Sequence, residues 1–68
     1  MNAAAERWLV FAREDLKAAE VLLNEEILNL VCFHAQQGVE KALKAMLSQQ
    51  GQITPRVHTI SELLTLLP

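Results

Sequence analysis

A histidine, a glutamine and two lysines, His34, Gln37, Lys41 and Lys44, are the side chains best equipped for chemistry in this sequence. At about 100° per residue they project to one side of a helix, where an imidazole, an amide and two ammonium groups could receive a phosphate or a polynucleotide backbone. The same four residues also read as a solvated face, steadied by a Glu40 to Lys44 pair at i,i+4 worth a few tenths of a kcal/mol. Gln36 and Glu40 lie instead on a flank between apolar positions. They are expected to hydrogen-bond structurally, to the first helix, to a third helix or across a subunit interface.

Asp15 and His58 offer a second arrangement, since a carboxylate can orient an imidazole for general-base work near neutral pH. Nothing in their spacing requires it, and a histidine just ahead of a capped helix also serves to cap or pack. Asp15 projects into an otherwise apolar arc, so it must find a partner there or mark where that face meets water. Cys32 reads as a small buried hydrophobe. As the only cysteine it excludes an internal disulfide, and it stands about 200° around the helix from His34, so the two do not converge on a metal. No complete catalytic constellation results, and neither a cofactor nor a metal is expected.

Three helices would carry these residues. From residue 3 to 24 there is no Gly or Pro, and Ala5, Trp8, Leu9, Ala12, Leu16, Ala19 and Leu23 gather on one face with Phe11, Ala18 and Leu22 beside it. Residues 25 to 28 connect to a second helix over 29–50, with Asn29 as its N-cap and Gly51 as the left-handed residue that ends it. The main apolar face of this helix is Val31, Cys32, Ala35, Val39, Ala42, Leu43 and Met46. Phe33 and Leu47 lie on one flank, and Gly38 and Ala45 form a small-residue strip on the other. So wide an arc exceeds one partner: the first helix is expected to cross over the small strip, and Phe33 and Leu47 to meet a further helix. Thr54 before Pro55 is biased to extended backbone. Thr59 and Glu62 form a capping box for a third helix over 59–67, with Ile60, Leu63, Leu64 and Leu67 at helical spacing. The fold class expected is all-α: an antiparallel hairpin plus a short third helix, an incomplete up-and-down bundle completed by oligomerisation.

At 68 residues the chain is one domain at most and hides only about 60% of its unfolded surface, so a partner subunit is the remedy left once disulfide and metal are removed. A net charge of −2 argues against a nucleic-acid surface made from this segment by itself. No signal segment opens the chain, and no apolar run approaches a membrane span. A cytoplasmic location is the expectation.

The sequence resembles the N-terminal half of a HEPN domain, the helical domain named for higher eukaryotes and prokaryotes nucleotide-binding. The resemblance lies in Ala12-Arg13-Glu14-Asp15-Leu16 with Ala19 and Leu22-Leu23, and in Cys32-Phe33-His34-Ala35-Gln36-Gln37-Gly38-Val39-Glu40-Lys41-Ala42-Leu43-Lys44-Ala45. Gly51 and the Arg56-Val57-His58-Thr59-Ile60 turn into Glu62-Leu63-Leu64 extend it. It implies a bundle of four or five helices, commonly a homodimer, often encoded beside a minimal nucleotidyltransferase in prokaryotic toxin and antitoxin pairs. Nucleotide or RNA contact is a further implication. Many relatives cut RNA with an R-x(4–6)-H motif. Here no Arg is followed by His at that spacing, because only Val57 separates Arg56 from His58. The sequence also stops where the family continues into further helices, which reads as a truncated unit or as a fragment of an RNA-cleaving toxin. No catalytic residue is carried over; Phe33, Gln36, Gln37, Glu40, Lys41 and Lys44 match family positions of mainly structural role.

Overall fold

A computed structural model describes residues 1–54 and 59–68. It contains α1 (Ala3–Asn24), α2 (Leu28–Gln49) and α3 (Ile60–Leu66), with no strand among the described residues. The expectation of an all-α hairpin with a short third helix therefore holds. The loop reading at Pro55 and the role considered for His58 lie outside the described residues.

Local chemistry fixes each helix end. Asn2 caps α1 by accepting the Ala5 N–H on its Oδ1 at 2.8 Å. Its Nδ2 donates to the Ser48 carbonyl at 2.7 Å and its own N–H to Gln49 Oε1 at 2.8 Å. The start of α1 is thereby tied to the end of α2, which sets the two helices antiparallel. At the other end of α1, the Glu26 N–H donates to Leu23 O and the Ile27 N–H to Leu22 O, both at 3.0 Å, with Glu26 at φ 61°. This is the left-handed helix cap usually given to glycine. α2 closes in the same way with the residue expected: Gly51 sits at φ 79°, Gly51 N–H donates to Ser48 O and Gln52 N–H to Leu47 O.

Asn29 does not cap α2. The reversal at Glu26 is complete by Ile27, which occupies the cap position without a side-chain hydrogen bond, and the helix resumes at Leu28 with Asn29 already in its first turn. Thr59 caps α3 as anticipated: its Oγ1 accepts the Glu62 N–H and its hydroxyl faces Glu62 Oε1, each at 3.1 Å.

Between α1 and α2 the seam is built of small and polar residues: Ala5, Ala12, Asp15 and Ala19 against Gly38, Lys44, Ala45 and Ser48, all buried. α1 crosses the small strip. A Cβ on Gly38 would stand 3.4 Å from the Ala12 carbonyl oxygen and from the Leu16 side chain, so the backbones approach closely there. On another side of α2, Leu43 and Leu47 pack with Leu63, flanked by Ile60 and Leu67, and both Leu47 and Leu63 are 0% exposed. Leu47 thus meets a further helix; Phe33 does not and stays about half exposed. Among the described residues α3 packs on α2 alone.

The face expected to be the main apolar one on α2 is mostly left open. Leu43 is buried, but Cys32, Val39 and Met46 are exposed, and Val31, Ala35 and Ala42 are only half-buried. On α1, Leu16 and Leu23 are likewise exposed. Closing the hairpin over glycine and alanine brings the two backbones together, and the larger aliphatic side chains then lie beside the seam instead of within it. The chain exposes 4788 Å², whereas a folded monomer of 7.6 kDa exposes about 4,300 Å². No described helix is long and apolar enough to cross a membrane.

Candidate functional site

Asp15 organises the polar centre of the hairpin. It enters the seam between Ala12 and Ala19, whose small side chains let α2 come near. Across from it, His34 and Lys41 are seven residues apart, two turns of α2, and so share one face. Asp15 lies between them: Oδ1 stands 2.9 Å from His34 Nδ1 and Oδ2 accepts from Lys41 Nζ at 2.5 Å. Each carboxylate oxygen therefore has one partner. Since an ionised carboxylate only accepts, the contact places a proton on His34 Nδ1 and leaves Nε2 as the outward nitrogen.

The electrostatics follow from that geometry. The Asp15 side chain is 11% exposed, and burial by itself would raise its pKa. The hydrogen bonds from Lys41 and then His34, together with their charges, outweigh burial and hold the carboxyl below its ordinary value of 3.8. His34 and Lys41 keep partial access to water. The Phe33 ring stands edge-on to the imidazole, with centroids 5.2 Å apart and planes at 84°.

The four residues considered for phosphate binding do not form one receptor. His34 and Lys41 are engaged by Asp15, so an arriving anion meets two donors that an internal carboxylate already occupies. Lys44 is buried, with its ammonium 4.9 Å from the Trp8 ring centroid and 3.8 Å from Glu40 Oε1. Gln37 is half-buried and contributes no hydrogen bond to this cluster. Gln36 is exposed, not buried in a polar contact as expected, because α3 packs over Leu43 and Leu47 further along the helix. Glu40 pairs within its own helix, with Lys44. Cys32, expected to be buried, is an exposed free thiol, for the reason given for its whole face. Among the described residues no three His, Cys, Asp or Glu side chains could hold a metal.

The partnership of Asp15 with His34 and Lys41 escaped sequence reasoning. That Asp15 needed a partner was legible, and so was the shared face of His34 and Lys41; joining them requires the hairpin register. Chemically the cluster can orient an imidazole and couple the helices. Apart from this cluster, an apolar groove of about 240 Å³ is lined by Met1 and Leu9 near the start of α1 and by Ala42, Ala45, Met46, Gln49 and Gln50 near the end of α2.

The family model of the HEPN domain matches residues 5–68. No curated protein and no solved structure matches the chain.

Proposed function

This chain belongs to the HEPN domain family, and on that premise we propose that it is a helical interaction module that acts by self-association. One observation carries the reading. A single side of the hairpin presents Leu16, Leu23, Val39 and Met46 to water, and the chain's surface is roughly 500 Å² larger than its mass requires. A partner subunit removes such a surface from solvent at no cost to the polar seam. Pairing with a minimal nucleotidyltransferase, in the toxin and antitoxin setting that the family resemblance implies, belongs to the same proposal, as does a cytoplasmic location. Nucleotide contact fits the geometry less well, because the Asp15 carboxylate already occupies Lys41 Nζ and His34 Nδ1. RNA cleavage finds no support in the described residues, where no Arg and His side chains are brought together.

Sedimentation equilibrium at micromolar concentration tests the proposal. A dimer or larger species is expected; a monomer that unfolds cooperatively would overturn it. Titration with ATP and with short RNA is expected to give no salt-sensitive binding to the isolated chain.

A further inference from the structure

α2 carries two heptad stripes, one residue out of step. His34, Gly38, Lys41, Ala45 and Ser48 recur at spacings of four and three and lie along the side that meets α1. Leu28, Cys32, Ala35, Val39, Ala42 and Met46 recur at the same spacings, contain no charge, and lie on the adjoining face, where each is half-buried or exposed. Leu28 is 61%, Val39 47% and Met46 51% exposed. The second stripe is the more apolar of the two, and within this chain it is left largely open, with Ala35 and Ala42 half-buried and the rest exposed.

We propose that its occupant is the same stripe of a second copy, with the two α2 helices antiparallel about a two-fold axis that passes midway between Ala35 and Val39. The assignment rests on the self-association reading above and adds the face and register. The stripe is self-complementary in that sense of pairing. Leu28 faces Met46 of the second copy, Cys32 faces its Ala42, and Ala35 faces its Val39, so bulky residues meet at both ends and each pair between them contains an alanine that lets the helices close. The groove beside Met46, lined also by Leu9 and Ala42, receives the Leu28 side chain of the second copy. Leu9, Leu16 and Leu23 recur every seven residues along α1 on the side of this groove, so the second hairpin covers them too and four helices share one interior.

Area and charge agree with this occupant. A stable interface hides about 800 Å² on each partner, the same order as the surplus surface of this chain. An uncharged stripe suits a second apolar stripe and offers nothing to a phosphate backbone.

Cysteine cross-linking tests the register, because Cys32 is native to the stripe. With Ala42→Cys, each Cys32 faces the new thiol of the other copy, and mild oxidation with oxidised glutathione is expected to give a covalent dimer. The unsubstituted chain is expected not to cross-link, because ten residues of helix, on the order of 15 Å, separate its two Cys32 thiols. Cross-linking of the unsubstituted chain would mean parallel helices and would overturn the register. A dimer by sedimentation in which Ala42→Cys does not cross-link would overturn the face while leaving self-association standing. A monomer would overturn both. Should Ala42→Cys fold poorly by circular dichroism, Val39→Lys decides the matter: a charge at the axis is expected to weaken the dimer at least about tenfold, whereas Phe33→Lys, off the stripe, leaves it unchanged. Equal effects of the two would refute the assignment.

Discussion

α2 is held on two sides by opposite means. Toward α1 it presents glycine, alanine and cations around one buried carboxylate; toward α3 it presents Leu43 and Leu47 to Leu63. The α3 contact gains its energy from aliphatic burial, which is strong and nearly indifferent to register. The α1 seam gains less from area, since its residues are small, and more from close backbone approach and from satisfying Asp15. Misplacing α1 by one turn would leave that carboxylate buried without a donor. The aliphatic side thus supplies stability, and the polar side specifies which alignment is stable.

Truncating the aliphatic side is expected to cost most. Leu47→Ala removes a fully buried side chain and should destabilise by roughly 2–5 kcal/mol, most of what a domain this size possesses. Urea denaturation at fixed protein concentration measures it. A loss under about 1 kcal/mol would mean the α2 to α3 contact is not the chief source of stability.

Lys41→Met breaks the other side, with a smaller expected loss of about 1–2 kcal/mol once the partial exposure of Lys41 is allowed for. Its distinguishing mark is pH dependence. Asp15 titrates below its ordinary value in the folded chain, so the carboxylate contributes stability at neutral pH and above its unfolded pKa. That contribution declines as pH falls through the ordinary carboxylate range toward the lowered folded value. Denaturation midpoints between pH 7 and pH 3 should therefore fall less steeply in Lys41→Met than in the unsubstituted chain, and Leu47→Ala should keep the full slope. Identical slopes in all three would remove Asp15 from the account.

How far the sequence revealed this depended on the range of the cause. Helix identity is local: a stretch without Gly or Pro for α1, Gly51 after α2, and Thr59 with Glu62 before α3 were each sufficient. The choice between faces of α2 is not local. Its most apolar stripe, through Cys32, Val39 and Met46, suggested the core by composition, yet the hairpin closed on the stripe one residue away, where Gly38 admits α1 to within van der Waals distance. Hydropathy does not register closeness of approach. The partners of Asp15 were hidden for a related reason: they follow from the register set by the reversal after α1, and the residue that makes that reversal, Glu26, looks like ordinary surface charge.

That reversal supplies the smallest and most selective expected effect. Glu26 at φ 61° and Gly51 at φ 79° end their helices by the same pair of backbone hydrogen bonds, but only one of them is free of the steric penalty on a side chain in the left-handed region. Glu26→Gly relieves that strain in the folded chain and also loosens the unfolded one, so the net gain should be about 0.5–1 kcal/mol. Because the turn joins α1 to α2 and touches nothing in α3, the gain should appear as slower amide exchange along the hairpin with α3 unchanged. Slowing that spread equally into Leu63 would mean the two sides of α2 melt as one unit, and the division between a specifying side and a stabilising side would then fail.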